Sequence, residues 1–181
     1  MKIEGNKLHY KLISEGFIFG SIEIRESLKQ EILLLSDGRK RVYRPDEDFD
    51  YSDDFDLNPN EEPFISLKQE LAKTIPESLM KEIDKLSVVP AHVSQKNKAL
   101  KMHNDILDGI YCQLILWVTD NEDYKGRDFL YGRVGETPKR FKPKSGDFCI
   151  ANNIDPSFHH GVSKLLDDSK FMTIIFYLFP R

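Results

Sequence analysis

The sequence predicts a mainly β protein, a sandwich or jelly roll with supporting helices on its N-terminal side. Two observations carry this prediction. From residue 88 on, short apolar segments alternate with polar turns: Gln95-Lys96-Asn97-Lys98, Asp120-Asn121-Glu122-Asp123, Lys142-Pro143-Lys144-Ser145-Gly146-Asp147 and Asp167-Asp168. Before that point apolar residues recur at helical spacing, as at Leu28, Ile32 and Leu35. The 181 residues suffice for a single domain with a real core. Residues 1–87 are expected to supply strands, buttressing helices and an acidic loop, and residues 88–181 the β core.

Taken in order, residues 8–24 read as two strands around Glu15-Gly16, followed by a helix through Leu28, Ile32 and Leu35 that ends near Asp37-Gly38. Residues 46–62 are acidic and read as a long surface loop anchored by Phe49, Tyr51 and Phe55. A calcium loop is not expected there, because Phe55 stands where an EF-hand needs glycine. Ser66-x-x-Gln69 and Thr74-x-x-Glu77 look like capping boxes of two short helices, the second burying Leu79, Ile83 and Leu86. Strands are expected over residues 88–94, 111–119, 124–131, 148–150, 158–165 and 171–179.

Composition limits the function. The formal net charge of −4 argues against a general nucleic-acid binder. No basic start with a following apolar run and no apolar stretch long enough to span a bilayer is visible, so a cytoplasmic, non-membrane protein is expected. Cys112 and Cys149 lie in apolar runs and read as reduced core thiols. Trp117 reads as core, His9 and His92 as packed or surface histidines, and Arg140 as a surface charge.

The stretch that carries chemistry is His103-Asn104-Asp105. Residues two apart on an extended strand share a face, so His103 and Asp105 are placed to bind one metal ion together. A histidine from the downstream Phe158-His159-His160-Gly161-Val162 completes a two-histidine, one-carboxylate triad. That set covers one face of an octahedral metal and leaves other positions open, as a non-haem Fe(II) oxygenase requires.

Five landmarks, in order, resemble the Fe(II)/2-oxoglutarate-dependent dioxygenases, and among them the prolyl-4-hydroxylase-like branch. They are His103-Asn104-Asp105; the strand Leu114-Ile115-Leu116-Trp117-Val118-Thr119-Asp120; Tyr124-Lys125-Gly126; Pro143-Lys144-Ser145-Gly146-Asp147-Phe148; and His160-Gly161-Val162, with Lys170 ten positions after His160. The resemblance covers about the last half of the chain. It implies a double-stranded β-helix, the cupin-like jelly roll, with Fe(II) held between two sheets by His103, Asp105 and His160. His159 is the rival third ligand; the family's His-x-Val pattern and the position of Lys170 favour His160. The resemblance also implies 2-oxoglutarate and O2 as cosubstrates, with decarboxylation to succinate coupled to hydroxylation of an unactivated C–H bond.

The distal carboxylate of 2-oxoglutarate needs a cation in an otherwise apolar pocket, and Lys170 is the candidate. Relatives with Arg there often carry Ser or Thr two residues later, where this chain has Met172; Tyr111 and Gln113 are the candidates for the missing hydrogen bond. Arg127, next to Gly126 near the expected mouth, is the candidate substrate contact. Phe176 stands where relatives acting on nucleic-acid bases carry a further Arg, and Asp105 stands where halogenating relatives have a small residue. The expected substrate is a small amino-acid-like or peptide-like metabolite. The alternatives are prolyl-type hydroxylation of a protein, or a jelly-roll binding module without turnover. The acidic residues 46–62 suit a lid for a basic substrate.

Overall fold

The computed structural model describes residues 5–35, 41–44, 49–52, 56–76, 83–91, 99–106 and 110–178. Three helices are described, α1 (Gly5–Glu15), α2 (Glu26–Leu34) and α3 (Phe64–Ala72). The strands are β1 (Phe17–Ser21), β2 (Arg41–Arg44), β3 (Phe49–Ser52), β4 (Asp56–Leu57), β5 (Ile83–Ala91), β6 (Leu100–His103), β7 (Cys112–Thr119), β8 (Phe129–Arg133), β9 (Lys139–Phe141), β10 (Asp147–Asn152), β11 (Phe158–Val162) and β12 (Phe171–Leu178). They form a six-stranded sheet in the order β1-β10-β7-β12-β5-β4, a four-stranded sheet in the order β6-β11-β8-β9, and the hairpin β2-β3. Every strand pairing among the described residues is antiparallel. The two larger sheets are the halves of a double-stranded β-helix, as expected.

Alternation along the strands divides the core in two. All eight residues of β7 are buried. Leu114, Leu116 and Val118 face the helices, together with Met172, Ile174 and Phe176 of β12. Ile115 and Trp117 face the opposite sheet, together with Phe171. A strand buried on both faces reads as a continuous apolar run, which is why β7 is so visible in the sequence. Helix α2 closes the outer side with Leu28, Ile32 and Leu33, each buried. Burying each such side chain contributes about 1.5–3 kcal/mol, so the helices stabilise the larger sheet.

Several expectations change. Residues 8–15, read as a strand, belong to helix α1. Leu12 is buried beneath that helix while Tyr10 and Ile13 are exposed, an apolar pattern with helical and not alternating period. Gly16, at φ +75°, ends it: the Gly16 N–H donates to Leu12 O at 3.0 Å, a left-handed C-terminal cap. The predicted second helix through Ile83 and Leu86 is instead β5, registered against β12 from Phe171↔Ala91 to Leu178↔Ile83. Pairing along that whole length overrides a short i, i+3 pattern. Leu79 lies outside the described residues.

The acidic stretch is not one loop. Its Phe49–Ser52 segment pairs with β2, and Asp56–Leu57 adds to the edge of the larger sheet. Helix α3 starts before Ser66, with Pro63 at its N-cap, three residues earlier than the sequence suggested; the Ser66 N–H donates to the Glu62 carboxylate at 3.2 Å. Strand β9 was not anticipated. His92 and the turn at residues 95–98 lie outside the described residues. Cys112 and Cys149 are buried and are not joined in a disulfide.

Candidate metal centre

The smaller sheet builds the centre. His103 is the last residue of β6 and pairs directly with His160 of β11. Asp105 follows two residues beyond the strand end and turns its carboxylate between the two rings. Asp105 Oδ1 lies 3.2 Å from His103 Nε2, and Oδ2 lies 3.2 Å from His160 Nε2. The donor atoms of these three residues all lie within 4.8 Å of one another, the one such group of three among the described residues.

The separations suit an ion. Metal bonds of about 2.1 Å at right angles place neighbouring donor atoms about 3.0 Å apart. His103 Nδ1 donates to Lys101 O at 2.8 Å, so Nε2 is the ring nitrogen turned to Asp105 and the one that would bind an ion on losing its proton. Gln113 Nε2 donates to Asp105 Oδ2 at 2.6 Å and orients it. Gln113 Oε1 is buried and has no hydrogen-bond partner among the described residues. Burial opposes ionisation of Asp105, but hydrogen bonds from His103 and His160, the charge of His160 and the Gln113 hydrogen bond outweigh it. Together they hold the carboxyl well below the usual carboxylate range.

The centre lies at a mouth. Side-chain exposure is 32% for His103 and 29% for Asp105 but only 10% for His160. Phe129 stacks on the His160 ring at 5.5 Å, and Trp117 lies 5.2 Å from Phe129. One side of the triad therefore meets solvent and the other an aromatic wall.

The other residues singled out in the sequence fall in different places. His159 faces away from the centre, with its Nε2 3.3 Å from Asn104 Nδ2. Tyr111 packs with the helix-side core, and its hydroxyl contacts His9 of α1. His9 was read in a strand and sits on that helix. Lys170 is exposed, one residue before β12, with its N–H donating to Asp120 Oδ1 at 2.8 Å. Arg127, expected at the mouth, is 3% exposed, with its guanidinium 5.8 Å from the Phe171 ring centroid. Arg140 is a surface charge 3.8 Å from Asp128. Sequence reasoning missed Thr173, which shares the inner face of β12 with Phe171; alternation along that strand is the signal that finds it.

No family model matches the chain, and no curated protein matches it. Solved structures do. A prolyl hydroxylase from Trichoplax adhaerens, in complex with a hypoxia inducible factor oxygen degradation domain peptide fragment, superposes with a TM-score of 0.67 at 14% identity, covering 96% of this chain and 88% of that one. A Pseudomonas putida prolyl-4-hydroxylase gives 0.63 at 11% identity, covering 95% and 97%. An oxidoreductase of the 2OG-Fe(II) oxygenase family from Burkholderia pseudomallei gives 0.62 at 13%, covering 98% and 93%. The chain has the fold of these proteins over nearly its whole length.

Proposed function

We propose that this chain is an Fe(II)- and 2-oxoglutarate-dependent oxygenase, with His103, Asp105 and His160 as the metal ligands. The observation that carries the reading is the convergence of two imidazoles and one carboxylate at ion-binding separations on the smaller sheet of a double-stranded β-helix. Two neutral donors and one anion suit Fe(II) and leave the open positions that oxygenase chemistry needs. When bound, the iron supplies the site at which a 2-oxo acid chelates and O2 reacts.

The chain's own residues hold and shield that centre. Lys101 O orients the His103 ring, and Gln113 orients Asp105. Phe129, stacked on His160, excludes water from the inner side. The exposed edge of His103 and Asp105 faces the substrate's approach. The proposed reaction is hydroxylation of an unactivated C–H in a small amino-acid-like or peptide-like molecule, with 2-oxoglutarate converted to succinate. A protein or peptide substrate is the second reading, supported by the peptide-bound prolyl hydroxylase among the similar folds.

Anaerobic titration with Fe(II) and 2-oxoglutarate tests the reading. The visible charge-transfer band of an iron-chelated 2-oxo acid is expected in the native protein and in His159→Ala, and is expected to vanish in His160→Ala. Native protein that binds Fe(II) yet never develops the band would leave a fold without this chemistry.

A further inference from the structure

We propose that Arg127 is the cation that receives the distal carboxylate of 2-oxoglutarate, with the Thr173 hydroxyl as its neighbouring hydrogen-bond donor; this rests on the oxygenase reading above. With its oxo-acid end at the metal, 2-oxoglutarate must send its second carboxylate into the space between the sheets. Trp117, Phe129 and Phe171 make that space apolar. A carboxylate there is strongly unfavourable unless a cation meets it.

Among the residues whose side chains are described, Arg127 is the only buried lysine or arginine. Its guanidinium lies over Phe171, which belongs to the inter-sheet core. Its backbone is held there by an unusual local path. Gly126 has φ +77° and Arg127 φ +55°, a conformation few non-glycine residues adopt. The Arg127 N–H donates to Lys164 O at 2.9 Å. A Cβ on Gly126 would lie 1.9 Å from that same oxygen, so only glycine allows the approach.

The reach is appropriate. Lys164 is four positions beyond His160, roughly 13 Å of extended backbone. The length of 2-oxoglutarate and that of an arginine side chain together span such a gap. Thr173 supplies the second, independent observation. It follows Phe171 by two residues, lies opposite Trp117 in the β7 register and is 8% exposed. Its Oγ1 has no hydrogen-bond partner among the described residues. A buried hydroxyl left without a partner is costly, and a bound carboxylate satisfies it. A guanidinium fork also grips a carboxylate bidentately, which an ammonium does not. Lys170, by contrast, is exposed and lies before the strand.

The test compares 2-oxoglutarate with 2-oxopentanoate, which has the same chelating end and a methyl group in place of the distal carboxylate. Anaerobic Fe(II) titrations, followed by the charge-transfer band, give a dissociation constant for each acid. Native protein is expected to prefer 2-oxoglutarate. Arg127→Gln is expected to lose roughly 30-fold of that preference while binding 2-oxopentanoate unchanged. Thr173→Val, which removes only a hydroxyl, is expected to lose roughly fivefold and keeps the test valid if Arg127→Gln does not fold. Lys170→Gln is expected to keep the preference. A preference retained in Arg127→Gln, unchanged in Thr173→Val, or lost in Lys170→Gln overturns the assignment while leaving the oxygenase reading intact. Native protein that holds Fe(II) but neither acid overturns both.

Discussion

At the residue scale, Gln113 links the larger sheet to the metal centre. It sits on β7, fully buried, and its one resolved hydrogen bond goes to Asp105 Oδ2. A carboxylate ligand free to rotate spends less time in the binding orientation, and loss of such a supporting hydrogen bond typically costs 10–100-fold in metal affinity. Gln113→Leu keeps the volume and removes the polar group that lacks a partner for Oε1, so the fold is expected to survive. The expected outcome is an affinity for Mn(II), as a redox-stable stand-in for Fe(II), about tenfold or more weaker with an unchanged unfolding midpoint. Equal Mn(II) affinities in the two proteins would remove Gln113 from the centre. The same residue was expected as a hydrogen-bond partner of the cosubstrate, and in the structure its side chain also meets Asp105.

At the element scale, the two sheets are pinned by close backbone approaches, and Gly16 is one that can be isolated. It caps α1 at φ +75°, and a Cβ there would lie 2.1 Å from the ring of Phe158, the first residue of the strand that carries His160. Gly135 has a similar φ of +84° but open space around its Cβ position. Comparing alanine at the two sites separates backbone strain from collision. Gly135→Ala is expected to cost about 1 kcal/mol, and Gly16→Ala about 2–4 kcal/mol because overpacking adds to the strain. Denaturant midpoints measure both. Equal losses would mean that Phe158 yields freely and that the contact does not position β11.

For the whole molecule, stability at high pH depends on Tyr124. The residue is fully buried, packs against Phe171 at 4.9 Å and donates its hydroxyl to Pro143 O. Burial pushes its phenol well above the usual range; the Asp128 and Glu122 carboxylates push the same way, and Arg127 opposes them. A folded-state value above the unfolded one favours the neutral phenol in the native protein. The stability this provides is therefore fully present below about pH 10, the unfolded phenol value, and is lost as pH rises above it. Tyr124→Phe is expected to be about 1 kcal/mol less stable near neutral pH through the lost hydrogen bond. Above about pH 10 the gap is expected to close as only the native tyrosine is penalised. Urea unfolding across that range reads the difference, and a gap independent of pH would show that Tyr124 does not govern alkaline stability.

The sequence alone determined the broad class and pointed to the three donor residues that the fold brings together. β7, β10 and β12 were legible because strands buried in a sheet leave continuous apolar runs, and His103 with Asp105 because spacing of two on a strand is a local property, whereas His160 rested on the family resemblance. Gly16 and the buried Leu12 were equally local, yet α1 was read as a strand, since a short apolar run fits either period. The first part of β5, through Ile83 and Leu86, was read as a helix because its extended form comes from pairing with β12, a partner eighty or more residues away.

Which cation faces the interior was decided by tertiary structure. Counting from His160 arrives at Lys170, but along β12 it is Phe171 and Thr173 that face inward, and a step of one residue reverses the face. Arg127 comes from the segment that leads into β8, brought beside Phe171 by the bridge between Gly126 and Leu165. Motif spacing reports neighbours along one strand; register between strands decides which side chains share an interior, and only the folded sheets contain that information.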